Sequence, residues 1–159
     1  MGTRSITVVT SDWDGGKVEH NATIYRHWDG YLDGQGQWLA DFLKDVVVTN
    51  GEEGKLNHFN GPGRLASGIV AALQTDGHNP DLMDQGSVCG QEFEYRVHVN
   101  YGRDGGKILV SVLDGPMTMF GGGGEECTNE VFKGTVEQFG AFITSAAKAA
   151  KAEIAGEGK

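Results

Sequence analysis

Phe93-Glu94-Tyr95-Arg96-Val97-His98-Val99-Asn100-Tyr101 alternates aromatic or β-branched side chains with polar ones, the period-2 pattern of a strand with one buried face. It predicts Phe93, Tyr95, Val97 and Val99 on the core side, with Glu94, Arg96 and His98 opposite. Arg103-Asp104-Gly105-Gly106 then supplies turn chemistry and returns the chain into Ile108, Val110 and Val112, so the stretch reads as a β-hairpin. A second hairpin lies upstream, with β-rich runs over Ser5 to Thr10 and Lys17 to His27 around Asp12-Trp13-Asp14-Gly15-Gly16. Both turns end in Asp-Gly-Gly-Lys, at 14 to 17 and 104 to 107; four turn-forming residues are easily reached by convergence.

Three helices fit between and after the hairpins. About Gln35 to Asp45, Trp38, Leu39, Phe42, Leu43 and Val46 form one apolar stripe. Gly61-Pro62-Gly63-Arg64 opens a second helix, with Pro in the first turn where a missing N–H costs nothing. Leu65, Ile69, Val70 and Leu73 carry its buried side, and Gly77 stops it. The third helix follows the capping pair Thr135 and Gln138, with Val136, Phe139, Ile143, Ala146, Ala147, Ala150 and Ile154 as its apolar face. The expected fold is a single α+β domain over residues 1–155. Three helices pack on an antiparallel sheet of about four or more strands built from the two hairpins, and residues 156–159 form a frayed tail. Long loops are expected at about 47–60 and 76–91 and at Gly121 to Gly124, where function or mobility often concentrates.

A chain of 159 residues can bury a core without staples. Its 26 glycines far exceed the usual ~7% and gather in turns. The net charge of −9 argues against nucleic acid as a partner, because phosphate neutralisation needs clustered Lys and Arg. Asp and Glu are scattered, not arrayed as a DNA mimic would need. The absence of a long apolar run leaves no signal for export or membrane insertion. Cys89 and Cys127, without metal spacing, suit a reducing cytoplasm. The expectation is a cytoplasmic protein with no membrane partner, no cofactor and no metal, and with a homo-oligomer left open.

Chemistry-bearing residues crowd the strand-to-helix junction Tyr25, Arg26, His27, Trp28, Asp29 and Tyr31. Aromatic faces beside a guanidinium match the stacking and charge contacts used for nucleotide rings and phosphates. Arg4 reaches the same sheet end if strand pairing brings it there. Asn60, Gly61, Gly63 and Arg64 form a second candidate, since helix N-terminal N–H groups favour anions and glycines let a ligand approach the backbone. None of His20, His27, His58, His78 and His98 has zinc-ligand spacing. His58, in a long loop, is the best acid–base group, with Asp29 to orient it in a hydrolase reading. Cys89 lacks a recognisable base and reads as a small buried residue.

Met1-Gly2-Thr3-Arg4-Ser5, Ile24-Tyr25-Arg26 to Asp29-Gly30-Tyr31, and Gly36 to Leu39-Ala40-Asp41-Phe42-Leu43 resemble a group of small uncharacterised proteins from phages and prokaryotes. The resemblance runs through Cys89-Gly90 and the second hairpin. It implies a phage or mobile-element origin, in the host cytoplasm, and brings no activity with it. Phage proteins of this size often interfere with host defence. The leading expectation is therefore a non-enzymatic binding protein for a small anionic, nucleotide-like ligand, a counter-defence sponge. In it Tyr25, Arg26, Trp28 and Tyr31 clamp, and Gly61, Gly63 and Arg64 hold phosphate. The alternatives are a phosphoester hydrolase using His58 and Asp29, and an acidic inhibitor docking on a host protein.

Overall fold

The computed structural model describes residues 2–52, 54–115 and 126–157. Strand β1 (Ser5–Trp13) turns into β2 (Glu19–Arg26). A π-helical turn, Leu32–Gly36, leads into helix α1 (Gln37–Leu43), followed by the short strands β3 (Val47–Thr49) and β4 (His58–Asn60). Helix α2 (Gly61–Thr75) and β5 (Asp81–Met83) come next, then β6 (Phe93–Gly102), β7 (Gly105–Asp114), β8 (Asn129–Thr135) and α3 (Val136–Glu157). The expected Gly121 to Gly124 loop lies outside the described residues.

The class is α+β with three helices, as expected, but the sheet is larger than two hairpins and is mixed. Its order is β4-β3-β7-β6-β1-β2-β5, with β8 also paired to β7. Both hairpins form, and they join through their first strands: β1 runs parallel to β6 in unbroken register, Ser5 beside Phe93 through Trp13 beside Tyr101. A second parallel pair, β3 with β4, lies at one edge. The expectation of an antiparallel sheet of about four or more strands is corrected to a mixed sheet of eight among the described residues. Strands β3, β4 and β5 have three residues each, too few to show a period, and they fall inside the stretches read as long loops.

All helices pack on one sheet face. The alternation in β6 is borne out: Tyr95, Val97 and Val99 are fully buried beside Val9, Val110, Val112 and Ile24, and Phe93 packs at the margin. Leu39 and Leu43 of α1, Leu65, Ile69 and Leu73 of α2, and Phe139 and Ile143 of α3 complete the core. Trp38 stacks on Phe42 at 5.3 Å, and its Nε1 donates to Asp76 Oδ2 at 2.7 Å, pinning α1 to the end of α2. The capping pair at α3 is reciprocal, with the Thr135 N–H donating to Gln138 Oε1 and the Gln138 N–H to Thr135 Oγ1. Ala150 and Ile154, read as part of the apolar face of α3, are exposed. No helix among the described residues is long and apolar enough to cross a membrane.

Candidate functional site

Strand β2 ends at Arg26, directly opposite Ser5 of β1. Successive side chains on a strand alternate faces, so Arg26 enters the helix side while Tyr25 and Arg4 belong to the other. Strand pairing does bring Arg4 to this sheet end, but not to the Arg26 face. Its charge acts on the Tyr25 hydroxyl, whose pKa burial raises. Past Arg26 the chain bends at Asp29, whose φ of 56° is left-handed, and Gly30 then presses on the backbone of Arg4 and Ser5. The N–H of Gly30 donates to Thr3 O at 2.8 Å, locking the bend to the start of β1.

The Arg26 side chain is 7% exposed. Its Nη1 donates to Gln35 Oε1 at 2.7 Å, and Gln35 Nε2 donates on to Thr7 Oγ1 at 3.1 Å. Its Nη2 lies 2.9 Å from His78 Nδ1. The end of α2 explains why His78 is there. Gly77 adopts φ +81°, the Gly77 N–H bonds Gln74 O and the His78 N–H bonds Leu73 O. That paired closure is a Schellman motif, and it folds the chain back so that His78 meets Arg26.

Charge balance around Arg26 is incomplete. Its ion-pair partner among the described residues, Asp29, stands at 4.0 Å and is more than half exposed, and Tyr31 OH also donates to Asp29 Oδ1 at 3.1 Å. Burial pulls the Arg26 pKa down, and Asp29 counters only part of that. Burial and the neighbouring guanidinium likewise hold His78 below its ordinary range, consistent with a neutral ring accepting from Arg26. Arg26, His27, Trp28, Asp29, Gly77, His78 and Asn79 line a depression of about 430 Å³. Trp28 is 59% exposed, backed by Gly2 and met edge-on by His27 at 4.6 Å.

The second expected site does not join the first. Asn60 and Arg64 line a different depression of about 370 Å³ with His58, Phe59, Ser67, Gly68 and Ala71. It runs along α2 from the start of the helix to Ala71, whereas the Arg26 depression is lined by Gly77, His78 and Asn79 past the helix end. Arg64 stands eleven residues before Thr75, the last residue of this helix, roughly 16 Å at 1.5 Å per residue. Arg26 and Arg64 thus line separate depressions. Asp29 and His58 are parted in the same way, so Asp29 does not orient His58 as the hydrolase reading required. His58 Nδ1 is buried without a hydrogen-bond partner among the described residues. Asn60 makes no side-chain cap to α2; its Oδ1 accepts from the Gly51 N–H at 2.8 Å. Gly61 has φ +84° and is buried, while Gly63 faces open space.

Tyr25 is bonded to His27, its OH lying 2.8 Å from Nδ1, and neither Tyr25 nor Tyr31 lines the Arg26 depression. Sequence reasoning missed Gln35, His78 and Asn79. The signal for His78 was local: Gly77 as a helix stop predicts the following residue's reversal, though not its target. Cys89 and Cys127 are both free thiols. Burial first, then Glu94 and Asp114, pushes the Cys127 thiol up to about 11, where it is a poor nucleophile. No group of three or more His, Cys, Asp or Glu among the described residues is arranged to hold a metal ion. Set against known proteins, the chain matches no family model, no curated protein and no solved structure.

Proposed function

We propose that the chain is a binding protein for a small anion carrying an aromatic ring, a nucleotide-like ligand, seated at the Arg26 depression and held without being transformed. The observation that carries this is a buried guanidinium with incomplete charge balance, opening onto a depression beside an exposed indole. A buried cation gains most from a partner that completes its neutralisation, and phosphate oxygens accept charge-assisted bonds from guanidinium. Gln35 and His78 fix the guanidinium in place, so little entropy is lost when the ligand arrives. Trp28 offers the ring face on which a base stacks. The volume falls in the range of small-molecule sites, about 300–1,000 Å³. With the resemblance to small phage and prokaryotic proteins, the biological form of this reading is a sponge that withholds a signalling nucleotide.

Calorimetry against a panel of nucleotides and cyclic nucleotides tests it. The wild type should bind at least one member, and Arg26→Gln should weaken it by about 2 kcal/mol, roughly thirtyfold. Trp28→Ala should cost about 1–3 kcal/mol with an unchanged melt, because the ring is largely exposed. Arg64→Ala, in the other depression, should bind as wild type does. A wild type that binds none of the panel, or loss of binding on Arg64→Ala alone, would sink the proposal.

A further inference from the structure

The sheet face away from the helices carries a second constellation. On β1, Thr10 and Asp12 point to that face, and on β6 His98 lies beside Thr10 in the parallel register. Thr10 Oγ1 is 2.8 Å from His98 Nδ1, and His98 Nε2 is 2.6 Å from Asp12 Oδ2. A carboxylate only accepts, so a neutral His98 keeps its proton on Nε2, and Nδ1 is left to accept from the Thr10 hydroxyl. Hydroxyl, imidazole and carboxylate thus stand in the order nucleophile, base and orienting group. Asp12 is itself anchored, its Oδ1 accepting from the Gly15 N–H at 2.6 Å.

The rest of this sheet face is unevenly covered. At the far end of this face Ile6, Glu94 and Leu113 are buried, and Cys127 sits close enough to Glu94 and Arg96 to feel their charges. Thr10 and His98 keep partial exposure, so the relay lies on the open part. A bulge between the Val9 and Thr10 pairings shifts the register of β2. It places His20 beside Thr10 and lets His20 Nε2 meet Thr23 Oγ1 at 2.7 Å; bulges often re-aim side chains in this way next to active sites. Arg96, half exposed with its Nε on Glu94 Oε1 at 2.6 Å, pairs with Val8 and so lies diagonal to Thr10, within reach of a long side chain. The other charged groups of this face on the adjoining strands are His20, Glu94 and Lys107.

We propose that Thr10, His98 and Asp12 form a nucleophilic relay that accepts acyl groups from activated esters. Thr10 Oγ attacks the carbonyl carbon as His98 Nδ1 takes its proton, while the Arg96 Nη groups meet the oxygen that becomes negative. The carbon–oxygen bond to the leaving group then breaks, and that group departs with the proton from His98, leaving an ester on Thr10. Water, deprotonated by His98, hydrolyses this ester and restores the hydroxyl. Thr10 and His98 are the catalytic residues, and Asp12 is a positioning residue. The site is independent of the Arg26 depression, which lies on the other face.

The test is intact-mass and peptide mapping of the full chain after exposure to p-nitrophenyl acetate and, separately, a fluorophosphonate. The expected result is one stable fluorophosphonate adduct per chain on Thr10, and with p-nitrophenyl acetate an acetyl adduct at the same residue before the ester is hydrolysed. Thr10→Val, close in shape, should abolish the adduct with an unchanged circular-dichroism melt. His98→Gln should slow it by at least ~100-fold. Asp12→Asn should slow it with an unchanged melt, and Asp12→Glu, which keeps a carboxylate for His98, should recover part of the rate; a purely structural role for Asp12 would show as a lowered melt instead. No adduct on the wild type, adducts only at other residues, or equal labelling of wild type and His98→Gln would overturn the proposal.

Discussion

Arg26 and His78 illustrate how one residue's environment sets another's chemistry. The His78 ring accepts from the guanidinium, so protonating it would break that bond and place two cations side by side. Burial first, and then this guanidinium, hold its folded pKa below the ordinary 6.5. The unfolded chain takes up this proton near 6.5 and the folded chain only at lower pH. The stabilising contribution is thus complete above about pH 6.5 and is lost as pH falls through the folded value. Urea midpoints should drop between about pH 7 and pH 5. His78→Gln, which keeps an acceptor without a titrating group, should flatten part of that slope; a slope unchanged by the substitution would show that His78 is not its source. Tyr95 supplies a second residue-scale prediction. Its ring is fully buried and its OH donates to Gly30 O at 2.9 Å. Tyr95→Ala should cost about 3–5 kcal/mol as a cavity, and Tyr95→Phe about 1–3 kcal/mol by leaving the Gly30 carbonyl without its donor. Denaturant titration of the two variants separates packing from hydrogen bonding.

At the scale of elements, the junction between β2 and α1 depends on a contact that no side chain fits. A Cβ on Gly30 would lie 2.7 Å from the carbonyl carbon of Arg4 and 2.8 Å from the nitrogen of Ser5. Those are backbone atoms at the start of the sheet's central parallel pair and cannot rotate away. Gly30→Ala should therefore destabilise by about 1–3 kcal/mol, as overpacking does, and should disturb the bend that presents Trp28 and Asp29. Gly63→Ala, with nothing nearby, is the control and should be neutral or slightly stabilising through helix propensity. Equal melts for the two variants would remove Gly30 from this role. The helices and long hairpins were legible because each repeats its apolar period several times. The three-residue strands and β8, half polar and largely exposed, have no such repeat, and they form by pairing with edges that other elements supply.

For the whole molecule, the consequence of joining the hairpins through β1 and β6 is a centre buried by both. Strands β1, β6 and β7 have neighbours on both sides, while β4 and β5 are three-residue edges. Amide hydrogen exchange should be slowest around Thr7 to Val9, Tyr95 to Val99 and Val110 to Val112. It should be fast in β4, β5 and the part of α3 beyond Ala150, where every described side chain is exposed. Mass-resolved exchange that found β5 as protected as β6 would contradict this layering. The same joining has a functional result. It sets Arg26 on the helix side and the Thr10, His98 and Asp12 relay on the other, giving the molecule two chemically distinct faces.

The amino-acid sequence by itself determined the local structure: the register of β6, both hairpin turns, the bounds of α2 and the capping box of α3. Each depends on neighbours within a few residues, where period, turn chemistry and capping act directly. It also marked Arg26, Trp28 and Asp29, which do line one depression. Tertiary structure alone decided that β1 and β6 run side by side, that Arg26 finds His78 52 residues away, and that Thr10 finds His98 88 residues away. It likewise set Arg26 and Arg64 in separate depressions and sent Tyr25 to the opposite face. Such outcomes rest on which buried surfaces pack together across the chain, and that long-range choice leaves no periodic trace in any one segment.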